Sequence, residues 1–216
     1  MEHLERPTKA ENDNILTFYT FGDKLCFIGV EQTMGYEKEL HDLFLMQQAY
    51  GTLFSLINKL QITGDTYFTG LTSRQFMTIV AILHLPEDET TINNIARKLG
   101  TSKQNANRMV TGIEKLGYVT IVPSSKDRRA TNVLLTDAGK QKVLECSQYA
   151  VDFMADLFRS FNTQELETLW NLLHRLYEFD GNRQDGFEED SSKLISDPEL
   201  SDRILQHFAE KRKYSE

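Results

Sequence analysis

Cysteine is scarce in this chain. Cys26 and Cys146 are the only two in 216 residues, far apart and without a CxxC pair. This excludes a disulfide framework and the thiolate clusters of structural zinc sites, and it fits a reducing compartment with unpaired thiols. Long apolar runs are also missing: none approaches the roughly 18 residues of a membrane span. The first residues, 1–7, carry Glu2 and Glu5 but no apolar stretch, so no secretory signal is expected and a cytoplasmic location follows. No Gly-rich phosphate loop, GxSxG elbow or HExxH pair occurs. His41, His84 and His174 fall in helical patterns with no nucleophile or further ligand at useful spacing. The chain therefore reads as a non-enzyme, with no cofactor and no metal. Metal sensing by scattered His and carboxylates stays open as a minor reading. No internal repeat is visible.

Positive charge is short overall, with 24 Lys and Arg against 32 Asp and Glu and a net charge of −8. Its distribution matters more. Between Leu71 and Thr136 there are nine basic and five acidic residues, which leaves 15 basic and 27 acidic elsewhere. A polyanion responds to a local patch within about a Debye length, roughly 8 Å, and not to the chain total. Scattered surface charge is the bland alternative. An apolar content of 40% and a charged content of 26% are ordinary for a soluble globular protein of one or two domains.

Two β-prone runs, Ile15 to Phe21 and Lys24 to Val30, flank Gly22-Asp23 and read as a hairpin. From Gly35 to about Leu60 the pattern is helical. Leu43, Met46, Tyr50, Leu53, Ile57 and Leu60 form a seam, and Phe44, Leu45, Phe54 and Leu56 add apolar surface off it. Such a helix needs cover from more than one side. Gln61 to Gly70 reads as a loop. Three short helices follow. The first is capped by Thr72 with Gln75, and buries Phe76, Ile79, Val80 and Leu83. The second is capped by Thr91 and buries Ile92, Ile95, Ala96 and Leu99. The third is capped by Ser102 and buries Ala106, Met109, Val110, Ile113 and Leu116. Gly100 and Gly117 end the last two. Tyr118 to Val122 and Thr131 to Leu135 then make a hairpin with a basic turn, Lys126-Asp127-Arg128-Arg129. Thr136 opens a helix to about Ser160, and Asn162 with Glu165 opens another. An acidic linker over residues 180–192 precedes a last helix that starts at Asp197-Pro198-Glu199.

The order of elements, a helix-turn-helix followed by an arginine-tipped hairpin, is that of a winged-helix DNA reader. Leu71-Thr72-x-x-Gln75-Phe76, Asp127-Arg128-Arg129-Ala130 and Leu135-Thr136-x-x-Gly139 resemble the corresponding motifs of the MarR family of winged helix-turn-helix transcription regulators, over roughly residues 37–180. The fold expected is mainly α with a small β-hairpin wing. The expected parts are an N-terminal extension with a hairpin at 1–34, a first dimerisation helix and loop at 35–70, the winged helix-turn-helix DNA-binding domain at 71–136, C-terminal dimerisation helices at 137–180, and an acidic linker with an extra helix at 181–216. The resemblance implies a homodimer on a pseudo-palindromic operator, acting as a repressor released by a small-molecule or oxidant signal. The hairpin and the tail depart from the family pattern, and the sequence assigns no effector-binding residues. Tyr50 and Phe54 could line a pocket, though core packing is the plainer reading.

The DNA-binding residues expected are Ser102, Lys103, Gln104, Asn105, Asn107 and Arg108 on the outward face of the third short helix, with Lys126, Asp127, Arg128 and Arg129 in the wing. Amide side chains pair with adenine, and Arg or Lys with guanine, in the major groove. Ser102 and nearby N–H groups suit a phosphate. The resemblance gives the minor-groove contact to Arg129, with Asp127 orienting it and Lys126 and Arg128 near phosphates. A merely solvated helix face and turn are the alternatives. The rival function is a winged-helix protein-interaction module without DNA binding.

Overall fold

The computed structural model describes residues 19–21, 24–26, 36–124, 130–183, 186–187 and 198–212. The chain divides into two compact units, residues 1–59 and 60–216. The first holds a short antiparallel hairpin, β1 (Tyr19–Phe21) and β2 (Lys24–Cys26), paired with Phe21 opposite Lys24. This is the hairpin read from the sequence, with shorter strands among the described residues. It also holds most of α1 (Glu37–Asp65). Of the apolar residues of α1, Leu45, Met46, Tyr50, Phe54, Leu56 and Ile57 are exposed.

The helix α1 runs five residues past Leu60, into the stretch read as a loop. Gly64 suggested a breaker, but its bare Cα serves packing. A Cβ there would lie 2.9 Å from that of Ser73. Asp65 accepts from the Ser73 backbone N–H at 2.6 Å and from its hydroxyl at 2.7 Å, which ties the end of α1 to the start of the next helix. A carboxylate is favoured at a helix N-terminus because the orphan N–H groups there carry partial positive charge.

The second unit is built on three helices: α2 (Ser73–Leu83), α3 (Ile92–Lys98) and α4 (Lys103–Lys115). Thr72 and Gln75 close a full capping box on α2, and Thr91 and Ser102 cap α3 and α4. Their stripes converge on one core in which Ile79, Ile95, Ala106, Val110 and Ile113 are fully buried. Leu116, read as inward-facing, is 47% exposed instead. It is the C-cap residue of α4, where the chain turns away from the core. The strands β3 (Val119–Pro123) and β4 (Thr131–Leu135) pair antiparallel from Val119 opposite Leu135 to Pro123 opposite Thr131. Val133 fills the same core, and its N–H donates to the Thr90 carbonyl at 3.0 Å. The wing base and the start of α3 are thereby one hydrogen-bonded piece.

Thr136 caps α5 (Asp137–Leu157), which stops three residues short of the expected Ser160. Asn162 and Glu165 form the capping box of α6 (Thr163–Tyr177). The last helix, α7 (Pro198–Arg212), starts at the expected proline and packs on α5. There, Asp152 accepts from His207 at 2.7 Å and Lys211 at 2.9 Å, and Arg212 donates to the carbonyls of Phe158 and Phe161. Among the described residues, no helix is long and apolar enough to cross a membrane.

Candidate nucleic-acid interface

The outward face of α4 exists because its inward face is so well held. Ala106, Val110 and Ile113 recur at helical spacing and are fully buried, so the residues between them are driven outward. Lys103, Gln104, Asn107 and Arg108 are exposed and Asn105 is half-buried. Ser102, Gln104, Asn105, Asn107 and Arg108 line a single shallow recess, which Lys103 does not border. The Ser102 hydroxyl accepts from the Asn105 N–H at 3.2 Å and fixes the first turn of the helix.

Within this face the polar side chains are ordered by one another. The Asn105 side-chain amide donates to Thr101 Oγ1 at 2.8 Å, and its carbonyl oxygen accepts from Arg108 Nη2 at 3.0 Å. Because one end of the amide is engaged by Thr101, the other end must present oxygen, which is what a guanidinium needs. Thr101 was not among the residues singled out from the sequence. Its signal was there, one helical turn before Asn105, but a side-chain acceptor at that offset is common and carries little weight alone.

The turn that delivers α4 is a Schellman motif. Gly100 takes φ +60°, its N–H donates to Arg97 at 3.0 Å, and Thr101 N–H donates to Ala96 at 2.9 Å. At the other end of α4, Gly117 repeats the arrangement with φ +79° and leads into β3. Ser124 N–H donates to the Ala130 carbonyl at 3.0 Å and closes the base of the wing beyond the last strand pair. Lys126, Asp127, Arg128 and Arg129 lie outside the described residues.

The motif Leu135-Thr136-x-x-Gly139 has a physical role here. Thr136 Oγ1 donates to the Gly117 carbonyl at 2.7 Å and accepts from the Gly139 N–H at 3.0 Å. A Cβ on Gly139 would fall 2.0 Å from the Tyr118 carbonyl oxygen. Only glycine lets α5 begin this close to the strand leaving α4.

Residues 69–130 match the sequence model of the MarR family. Over 172 residues the chain is 22% identical to the transcriptional repressor MprA of Escherichia coli K12, covering 78% of this chain and 96% of that protein. It is 28% identical over 99 residues to the transcriptional activatory protein BadR of Rhodopseudomonas palustris. That match covers 44% of this chain and spans only 57% of BadR. In fold it resembles a MarR variant from Escherichia coli solved with operator DNA. The TM-score is 0.53 at 24% identity, over 62% of this chain and 97% of the other. The family match thus falls on the helix-turn-helix and wing just described, and over residues 69–130 the chain is similar to the MarR family.

Proposed function

We propose that the chain acts as a homodimer that binds a pseudo-palindromic DNA operator and represses transcription until a small-molecule or oxidant signal releases it. The observation that carries this reading is the outward face of α4, where Gln104, Asn105, Asn107 and Arg108 surround one recess on a helix anchored by fully buried residues. An α-helix fits the major groove, and amide and guanidinium groups are what its base edges accept. Ser102 and the first-turn N–H groups, which lack intrahelical acceptors, suit a phosphate. Lys103 adds positive charge at the same end. In the wing, Arg129 enters the minor groove with Asp127 orienting it, while Lys126 and Arg128 serve the flanking phosphates. The local basic surplus between Leu71 and Thr136 supports this in a chain whose total is −8. MprA, a repressor, supports repression as the direction of control. The working location is the cytoplasm, where DNA is accessible.

Binding of purified full-length chain to a duplex selected from a random library tests the reading. Affinity is expected to fall steeply with salt, because each neutralised phosphate releases counterions. Arg108→Ala should cost about 1–3 kcal/mol on the selected duplex and relax sequence preference. Arg129→Ala should weaken binding with the melting temperature nearly unchanged. No binding even at low salt would refute the proposal.

A further inference from the structure

The end of α6 and residues beyond it meet the helix-turn-helix domain at three places. A Cβ on Gly100 would meet Tyr177 Oη at 2.9 Å, so the last residue of α6 lies directly against the helix-turn-helix turn. The 3-10 turn Glu178–Asp180 then ends at Gly181, whose φ of +81° reverses the chain. Farther on, Lys98 Nζ donates to the Gly186 carbonyl at 2.6 Å and sits 5.4 Å from the centre of the Phe187 ring. Lys98 is the last residue of α3 and is only 2% exposed. The rings of Phe187 and of His84, the C-cap of α2, are T-shaped to one another with centroids 5.5 Å apart.

A lysine is seldom this buried unless its ammonium is given partners. Here one such partner, the Gly186 carbonyl, lies 88 positions away in the chain. The turn pinned by these contacts is also where the polar chain of the interface begins. Gly100 precedes Thr101, Thr101 holds the Asn105 amide at 2.8 Å, and Asn105 holds Arg108 at 3.0 Å. The contacts are contiguous from the tail to the guanidinium.

We propose that Tyr177, together with Gly186 and Phe187, straps the helix-turn-helix turn in place and, through Thr101 and Asn105, positions Arg108 for DNA. Tyr177, Thr101 and Asn105 are positioning residues. This rests on the DNA-reading function proposed above and assigns a role to the tail. A loosened strap leaves the exposed residues of α4 in place but lets the Arg108 side chain wander. The loss then appears in base recognition and not in the number of phosphates bound.

The test is a double-mutant cycle on the full chain, read as affinity for the selected duplex. Tyr177→Ala and Thr101→Val are each expected to weaken binding about three- to tenfold, with the salt slope unchanged. The double variant should be no weaker than the worse single one, because both act on one element. Tyr177→Phe, which keeps the ring against Gly100, should bind nearly as wild type. Additive losses, or a Tyr177→Phe chain as weak as Tyr177→Ala, would overturn the proposal. A wild-type chain that ignores DNA would defeat the function and leave the strap to a second readout, the Asn105 side-chain amide resonances of the DNA-free protein. Movement of those signals in Tyr177→Ala supports the strap, and unmoved signals overturn it.

Discussion

Gly139 concentrates the demands that a wing makes on the helix behind it. Its amide feeds the Thr136 hydroxyl, and its missing side chain leaves room for the Tyr118 carbonyl. A methyl group 2.0 Å from a backbone oxygen cannot be relieved by a rotamer change, so either α5 or β3 must move. Overpacking of this kind costs about 1–3 kcal/mol. Gly139→Ala is therefore expected to lower the melting temperature by roughly 2–12 °C for a chain of this size, readable by calorimetry. An unchanged melting temperature would mean the joint is softer than its geometry. Cys146 shows the opposite case, a side chain whose place is plain packing. It is 1% exposed, and burial pushes its thiol up, with the Lys142 ammonium opposing the rise. A buried thiol held protonated is a poor nucleophile. Cys146 follows Val143 by three residues and precedes Ala150 by four, a helical apolar spacing, and the structure puts it in the core. Such single residues are legible because burial at helical spacing is a local pattern.

Caps explain why so many element starts could be read directly. Thr72, Thr91, Ser102, Thr136 and Asn162 all accept from the backbone N–H three residues on, an interaction completed within one turn. Contacts that join distant elements leave no such trace. The sequence shows an acidic linker and a final helix, but nothing in either says that α7 lies on α5, because His207 and Asp152 are 55 residues apart. Docking of α7 should depend on pH through Asp152. Burial alone would raise its carboxyl, but hydrogen bonds from Lys211 and His207 outweigh this and hold it below the usual aspartate range. A carboxylate depressed in the folded state stabilises at pH above its unfolded value, near about 3.9, and that contribution is lost as pH falls through the lower folded value. Acidification below about pH 4 should thus loosen α7 before neutral pH has any effect through this group. Amide hydrogen exchange over residues 198–212 would reveal it as increased opening in acid. Asp152→Asn should show the looser helix already at neutral pH. Equal protection of the two chains at neutral pH would show that apolar packing alone seats α7.

Two helices carry exposed apolar residues among the described residues. On α1, Tyr50 is 75% and Phe54 64% exposed, and on α6, Trp170 is 56% and Leu176 51% exposed. The sequence made the α1 stripe legible as an apolar face but could not say what would cover it, since a seam for another helix looks the same whether that helix is intramolecular or belongs to a second copy. Scattered exposed apolar residues are ordinary, whereas contiguous ones mark interfaces. A second copy of the chain is the occupant that the proposed two-fold operator requires, because two reading helices must lie about 34 Å apart to address successive major grooves. Tethering two heads makes the second contact intramolecular and raises affinity by about 10²–10⁴-fold without any new contact to a base. Replacing Leu173 and Leu176 together with Lys puts two charges into the α6 face while leaving α4 untouched. The variant is expected to sediment as a monomer and to lose affinity for a two-half-site duplex by that factor, while its affinity for a single half-site stays near wild type. A loss on the single half-site as large as on the full operator would instead mean that the substitutions had damaged the reading domain. If the wild-type chain sedimented as a monomer at micromolar concentration, the exposed faces would need another partner and the spacing argument would fall.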